Sequence, residues 1–179
     1  MKSVFISGTT ILATVTAVML GGAAAAQSEI TRADAHEKWS VFEVDGSNKE
    51  CWIASAPESS SATRNGSSVQ VNRGEIRLMV TNRPGQNVSN EVSFTGGYPF
   101  REGSSVSVSI GGQEFQFYTG GEWAWPSSPA DDQRIVAAMR AGADARLVGT
   151  SSRGTTTTDV VSLIGFTAAL NDATGRCAS

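Results

Sequence analysis

The sequence contains few of the residues on which most enzyme and metal sites depend. Its 179 residues include one histidine, His36, and two cysteines, Cys51 and Cys177. A zinc centre or a histidine-based catalytic site therefore has little material available. The sequence also lacks the glycine-rich phosphate-binding loop of nucleotide hydrolases and the glycine motif of dinucleotide-binding helices. We therefore predict no catalytic residues, no metal site and no cofactor.

Charge is also scarce, and it has no basic excess. Charged residues make up 17% of the sequence, with 14 Lys and Arg against 17 Asp and Glu, so the net charge is −3. This balance argues against a nucleic-acid partner. The hydrophobic fraction of 40% is sufficient for a core, and the length corresponds to one domain. The 19 glycines are typical of turns between strands rather than of a helical bundle.

The first segment has the three parts of a secretory signal peptide. Lys2 supplies the positive charge, residues 11–20 are apolar, and small alanines lead up to Ala26. We predict cleavage between Ala26 and Gln27, so that residues 1–26 are removed. An uncleaved membrane anchor is the alternative, but the apolar run is shorter than the ~20 residues of a spanning helix. No transmembrane span is then expected in the mature chain.

Export would place both cysteines in an oxidising compartment, where two thiols most simply form one disulfide. Cys51 lies early in the mature chain and Cys177 lies near the end. A bond between them would close almost the whole domain into a ring, which in the chain-entropy model contributes about 4–5 kcal/mol. The alternatives are a reactive thiol at Cys51, for which His36 is the one histidine base, and a bond to another chain.

Alternating apolar and polar residues predict antiparallel strands. The clearest case is 106–110 and 115–117 around Gly111-Gly112, which predicts a hairpin with one buried face. The connections are too short for parallel crossovers. A second hairpin is predicted at 145–149 and 155–163, further strands at 39–44, 51–54, 75–81 and 90–94, and an exposed loop at 57–68.

One helix is well marked in the sequence. Ser128 can cap it, Pro129 suits its first position, and Ile135, Val136 and Met139 form an apolar stripe. The pattern predicts a helix over 129–141 that ends at Gly142, and a short C-terminal helix is expected at 166–172.

The predicted fold is a mainly β, single-domain antiparallel sandwich or flattened barrel. One well-formed α-helix packs on it, and a short helix follows near the C-terminus. This domain covers residues 38–179. Residues 27–37 are polar and are predicted to be a flexible lead-in, with His36 as a solvated surface residue.

Two tryptophans are candidate partner-binding residues. Trp123 and Trp125 are two positions apart, so in an extended segment both rings lie on one face. We favour an inward face that belongs to the core, because large apolar residues are usually buried. An outward face would instead form a stacking platform for a sugar, a peptide or a protein partner.

Arg153 and Gly154 are the second candidate contact. Eleven of the basic residues are arginine, whose planar guanidinium forms bidentate contacts with carboxylates and phosphates. In the predicted turn at 150–155, Gly154 leaves room for close approach beside Arg153. The alternative is that Arg153 forms an ion pair with a nearby carboxylate such as Asp159.

Short segments throughout the mature chain form a recognisable pattern. They are WSV at 39–41, CWIA at 51–54, RLMVTNRP at 77–84, GYPF at 97–100, AAMRAG at 137–142, GTSSRGT at 149–155 and GFTAA at 165–169. This pattern resembles the invasion-associated locus B family. The resemblance implies an exported protein of alphaproteobacteria, located in the periplasm or at the cell envelope. The founding member is associated with entry into host cells, and the family offers no catalytic residues to assign here.

Two classes of function follow from these observations. The first is an exported, non-enzymatic protein of the periplasm, envelope or medium that contacts a protein, an envelope component or a host surface. The second is a periplasmic enzyme that acts on envelope glycans through two carboxylates about 5–10 Å apart. We prefer the first, because no nucleophile with a base and no metal-ligand spacing is visible. The sequence predicts neither the identity of the partner nor an oligomeric state.

Overall fold

The computed structural model describes residues 29–178 of the chain. Within them, one 12-stranded antiparallel sheet and two α-helices share a single hydrophobic core. The predicted signal peptide and its cleavage site between Ala26 and Gln27 lie outside the described residues.

Strands occur along most of the described chain, and both helices lie in the second half of the sequence. Its strands are β1 (Ile30–His36), β2 (Trp39–Val44), β3 (Glu50–Ser55), β4 (Ser59–Arg64), β5 (Ser67–Ser68), β6 (Arg77–Arg83), β7 (Val88–Thr95), β8 (Ser105–Ile110), β9 (Gln113–Gly120), β10 (Trp123–Trp125), β11 (Asp144–Thr150) and β12 (Thr156–Ser162). The helices are α1 (Pro129–Ala141) and α2 (Phe166–Ala178), and Pro84–Gln86 forms a 3₁₀ turn. Across the sheet the strand order is β1-β2-β3-β6-β7-β10-β9-β8-β11-β12-β4-β5.

This architecture confirms the mainly β antiparallel prediction and specifies it. The strands form one continuous sheet that is not closed into a barrel, with β1 and β5 as its edges. The predicted hairpin of β8 and β9 is present, and Val108 lies opposite Phe115. Val106, Val108 and Phe117 are almost completely buried, as a firm register requires.

Two polar segments are strands where the sequence predicted none. Residues 30–36 form β1, which pairs with β2, although 27–37 was expected to be a flexible lead-in. Residues 59–68 form β4 and β5 around an Asn65-Gly66 turn, although 57–68 was expected to be a loop. β4 pairs with β12 along five residues. Both segments join the sheet through backbone hydrogen bonds, which do not require apolar side chains, so hydrophobic patterning could not reveal them.

Helix α1 has the predicted bounds and the predicted cap. Ser128 Oγ accepts a hydrogen bond from the Asp131 backbone N–H at 3.2 Å, and Ile135 and Met139 are buried. Gly142 ends the helix with an extended backbone, φ −87°, rather than in the left-handed conformation. Glycine is needed there for space, because a Cβ would lie 2.7 Å from Ile110 Cγ2.

Helix α2 closes the domain and is longer than predicted. It continues to Ala178, and it packs on β2, β3 and β6. Its last turn carries Cys177, which forms the predicted disulfide with Cys51 of β3, with Cα atoms 5.8 Å apart. The bond joins residues separated by 126 positions, so it encloses most of the sheet and α1 in one covalent ring.

Candidate functional site

Loops at one end of the sheet enclose a cleft of about 450 Å³. They are the segment after β5, the segment between β7 and β8, the β9–β10 turn and the β11–β12 turn. We call this space the cationic cleft, and the side chains that define its charge are Arg64, Arg73, Glu122 and Arg153.

A buried ion pair lies beneath the cationic cleft. Arg73 Nη1 and Nη2 donate to Asp159 Oδ1 and Oδ2, both at 2.7 Å, and Asp159 has no exposed surface. Ser60 Oγ also donates to Asp159 Oδ1 at 2.6 Å, and Arg73 Nε donates to the Gly96 carbonyl at 2.8 Å. This bidentate geometry is the strong form of a charged hydrogen bond. Asp159 is therefore committed to Arg73, and the predicted alternative that Arg153 pairs with Asp159 is wrong.

Tyr98 completes the wall beside this pair. The Arg73 guanidinium lies 5.0 Å from the centroid of the Tyr98 ring, which is a cation–π contact. The Tyr98 hydroxyl lies 2.6 Å from Thr157 Oγ1, so the two hydroxyls share a hydrogen bond. Burial raises the pKa of the Tyr98 phenol, which therefore stays protonated. Tyr98 and the Arg73–Asp159 pair thus form a wall of the cleft that is held by hydrogen bonds and carries no net charge.

Arg64 and Arg153, the other two arginines of the cleft, have no acidic partner among the described residues. Arg64 donates from Nε and Nη2 to Thr155 Oγ1, at 3.0 and 2.7 Å, and contacts no carboxylate within residues 29–178. Arg153 is exposed at the rim and forms no ion pair with any described residue. Glu122 is the one acid among the lining side chains that the structure describes. The cleft thus presents two guanidinium groups that form no ion pair with any described residue.

The β11–β12 turn fixes where Arg153 lies. Ser151 closes the turn, because its carbonyl accepts from Gly154 N–H at 2.9 Å and its Oγ accepts from Thr155 N–H at 3.1 Å. Gly154 has φ +78°, which favours glycine. A Cβ at Gly154 would lie 3.2 Å from Arg101 Nη2, so a further guanidinium lies beside the turn.

The tryptophans of β10 face outward, so the interpretation that they belong to the core is wrong. Ala124 between them is completely buried, whereas Trp123 is 38% exposed and Trp125 is half-buried. The strand alternates, so both tryptophans lie on the face opposite Ala124. Tyr118 of β9, which is 52% exposed, lies opposite Trp125.

These three rings form a stack on the outer face of the sheet. The Trp123 and Trp125 ring centroids are 6.5 Å apart with an interplanar angle of 23°. Those of Tyr118 and Trp125 are 5.5 Å apart with an angle of 31°. The ring of Trp125 also lies over Gly120, since a Cβ there would be 3.3 Å from Cζ3. Trp123 and Trp125 are therefore stacked, and Tyr118 is tilted against Trp125, so the three rings form one continuous aromatic surface.

A second cleft, of about 200 Å³, adjoins this stack. We call it the aromatic cleft, and it is lined by Tyr118, Trp125, Glu91, Ser128 and Asp132, together with Val92, Pro126, Ser127 and Pro129. Asp132 lies in the first turn of α1, and its carboxyl group contacts β7, an interior strand of the sheet.

Asp132 is the least expected residue of the aromatic cleft. It is only 7% exposed, and its Oδ1 accepts the backbone N–H of Val92 at 2.8 Å. Strand β10 pairs with β7 at Phe94 and Thr95 but not at Val92, so Asp132 takes the place of the missing strand. Burial raises the pKa of Asp132 to about 6, and the negative charges of Glu91 and Asp131 act in the same direction.

The sequence did carry an indication of this role. Asp132 falls three and four positions before Ile135 and Val136, on the apolar face of α1. A carboxylate on that face needs a partner inside the protein.

His36 also has a place that the sequence did not predict. It is half-buried at the end of β1, and its Nε2 lies 3.0 Å from Asp172 Oδ2 of α2. Arg176 Nε donates to the other oxygen of Asp172 at 2.7 Å. Asp34, His36 and Asp172 are close enough together to hold a metal ion, and they are the one such group among the described residues. Both Asp172 oxygens are already bonded within the protein, so the contact joins β1 to α2.

None of the helices in the described part of the chain is both long enough and apolar enough to cross a membrane.

The structure defines an antiparallel β-domain that is closed by a disulfide and has two clefts on its surface. The model of the Invasion associated locus B (IalB) protein family matches residues 39–174. The chain therefore belongs to that family, which confirms the resemblance seen in the sequence. No curated protein and no solved structure matches the chain.

Proposed function

We propose that this chain is an exported, non-enzymatic domain that binds an anionic group of an envelope or host-surface partner at the cationic cleft. The observation that carries the proposal is the pair Arg64 and Arg153, two guanidinium groups at one cleft with no carboxylate partner among the described residues. The whole chain is acidic, with a net charge of −3, so this local excess of positive charge is a specific feature.

The geometry of the cleft supports recognition rather than catalysis. A guanidinium offers a planar fork of donors that matches carboxylate, sulfate and phosphate oxygens. Arg73 is neutralised by Asp159, so it supports the wall, while Arg153 beside Gly154 remains free to contact a ligand. Arg153 lies on the β11–β12 turn and Arg64 is the last residue of strand β4, so the sheet holds both side chains at the cleft.

Family membership, the Cys51–Cys177 bond and the composition of residues 1–26 support export. The intact mass of protein isolated from the envelope fraction tests the proposal. We expect a chain that begins at Gln27 and contains no free thiol. A chain that retains residues 1–26, or that accumulates reduced in the cytoplasm, contradicts it.

Binding to heparin, used as a sulfated probe at low salt, tests the cationic cleft. We expect saturable binding by the mature chain, and Arg153→Ala and Arg64→Ala should each weaken it about 5–10-fold. Arg146→Ala is the matched control, because Arg146 is exposed on β11, lies outside the cleft and has no ion pair among the described residues.

The control separates a site from a general charge effect. Equal losses in Arg146→Ala and Arg153→Ala would show that only net charge matters, and would reject the cationic cleft as the site. Absence of binding by the unmodified chain at low salt would also reject it. The melting temperature of each variant is measured in parallel, so that a folding defect is not mistaken for lost contact.

The enzymatic alternative has one observation in its favour. Asp132, with a pKa raised to about 6, and Glu91 line the same aromatic cleft, as an acid and a second carboxylate would in a glycosidase. Glu91, however, is bonded to Arg83. Incubation with peptidoglycan fragments followed by mass analysis tests this alternative. Products that disappear in Asp132→Asn would establish it over the non-enzymatic proposal.

A further inference from the structure

The outer face of the sheet holds a second recognition surface, separate from the cationic cleft. The stacked rings of Tyr118, Trp123 and Trp125 remain partly exposed, and two of them also line the aromatic cleft. Such aromatic surface is costly to leave in water, so its preformed order indicates a ligand or partner. None of these three residues lines the cationic cleft.

Polar groups at the aromatic cleft specify what that ligand offers. Val92 N–H is the one described donor to Asp132, and it occupies Oδ1 only, so Oδ2 is available as an acceptor. Ser127 is exposed beside it with a hydroxyl that has no described partner. The matching ligand has one apolar face that stacks on the rings. It also has several hydroxyl groups that bond to Asp132 and Ser127.

We propose that the aromatic cleft and the adjoining ring stack bind a neutral pyranose ring of a glycan. The axial C–H groups of a pyranose form an apolar face that stacks on Trp and Tyr rings, while its hydroxyls reach Asp132 and Ser127. The cleft volume of about 200 Å³ is below the ~300–1,000 Å³ of pockets for drug-sized ligands, so it admits one small ring.

Two competing ligand classes fit the geometry less well. An anionic ligand would meet Glu91 and Asp132, and an acid at 7% exposure opposes a second negative charge. A quaternary ammonium is usually held by ring faces that converge from several sides. Here Trp123 and Trp125 are stacked at 23° and Tyr118 is tilted by 31° against Trp125, so the neighbouring rings lie along one face of the sheet rather than around a central space.

Titration of the mature chain with neutral oligosaccharides tests the proposal, with tryptophan fluorescence and calorimetry as readouts. The probes are tri-saccharides of N-acetylglucosamine, of β-1,4-glucose and of α-1,4-glucose. We expect at least one to bind and to shift the tryptophan emission. Trp123→Ala should weaken that binding at least tenfold, and Asp132→Asn should weaken it several-fold while retaining an acceptor for Val92.

Trp52 provides the matched control on the same face. Its ring stacks on Phe42 with centroids 5.4 Å apart and an interplanar angle of 12°, and β3 lies three strands from β10. Trp52→Ala should leave saccharide affinity unchanged. At a fixed sub-saturating sugar concentration, the fluorescence shift should also persist in Trp52→Ala and be reduced in Trp123→Ala.

Several outcomes would overturn the proposal. Saccharide affinity that is unchanged in Trp123→Ala would place the sugar elsewhere. Absence of binding by all three oligosaccharides would exclude this class of ligand. Saturable binding of tetramethylammonium that depends on Trp123 would assign the rings to a cation. A dimer in sedimentation analysis that Trp123→Ala dissociates would assign them to a second copy of the chain. All of these results are independent of the heparin experiment, so the two proposals fail separately.

Discussion

The two clefts bury a carboxyl group in opposite ways. Beneath the cationic cleft, Asp159 is fully buried and meets the guanidinium of Arg73 through two hydrogen bonds. In the aromatic cleft, Asp132 is almost as buried but meets one backbone N–H. A counter-charge compensates Asp159 for its lost hydration, whereas Asp132 is compensated only by a neutral donor. The first arrangement is structural, and the second leaves a carboxyl group whose charge depends on pH.

The largest expected effect comes from removing the counter-charge of Asp159. Arg73→Ala leaves that carboxylate buried with only the Ser60 hydroxyl, and should reduce the free energy of unfolding by about 3–5 kcal/mol. Urea unfolding measures the loss. The double variant Arg73→Ala, Asp159→Ala should recover part of it, because no unpaired charge remains. A loss below about 1 kcal/mol in Arg73→Ala would show that the pair is not compensating a buried charge.

The second effect is the pH dependence of Asp132. The pKa in the folded protein is about 6, above the ordinary value of 3.8, so the folded state binds this proton more tightly than the unfolded chain. The stabilising contribution is therefore complete below about pH 4 and is lost as the pH rises through about 6. We expect a difference of about 3 kcal/mol between these limits, relative to Asp132→Asn, since each unit of pKa shift corresponds to about 1.4 kcal/mol.

Unfolding titrations of both proteins across this range measure the difference. Glu91 and Asp131, the acids that act on Asp132, are present in both proteins, so subtraction isolates the Asp132 contribution. Parallel pH profiles for the two proteins would show that Asp132 is ionised without cost, and would remove the contrast between the clefts.

The contrast also shows what local sequence can predict. The β8–β9 hairpin and α1 with its Ser128 cap were predictable, because alternation and capping depend on residues close together in the sequence. The disulfide was predictable because the chain has only two cysteines to pair. The partners of Asp159 and Asp132 were not, because each pair joins segments far apart in the chain. Only topology brings those segments together.

The candidate sites were predicted in part for the same reason. Arg153 and Gly154 were singled out by chemistry, and the structure places both at the β11–β12 turn beside a cleft. Arg64 was missed, since it lies on a serine-rich hairpin that resembled a loop. The tryptophan spacing gave one shared face correctly, but period-two alternation alone does not say which face is inside.

A smaller effect concerns the helix that delivers Asp132. Ser128→Ala removes the cap hydrogen bond to Asp131 N–H and should cost about 1 kcal/mol in urea unfolding. Ser127→Ala is the matched control, since Ser127 is exposed and forms no hydrogen bond among the described residues, and should change stability little. Loss of the Asp132 pH dependence in Ser128→Ala would show that the cap also positions the buried acid. Equal losses in the two serine variants would contradict the capping assignment.

The smallest effect on stability should come from Arg153, and it separates the two kinds of arginine within one cleft. Arg153 has no ion pair with a described residue, so Arg153→Ala should change the free energy of unfolding by less than about 0.5 kcal/mol. Arg64→Ala removes two hydrogen bonds to Thr155 and should cost about 0.5–1.5 kcal/mol. Arg73→Ala remains the most damaging of the three.

If Arg153→Ala instead destabilises the domain as much as Arg64→Ala, the side chain supports the turn, and its loss cannot be used as evidence for ligand contact. Unchanged stability together with weakened heparin binding would mark Arg153 as a residue kept for recognition.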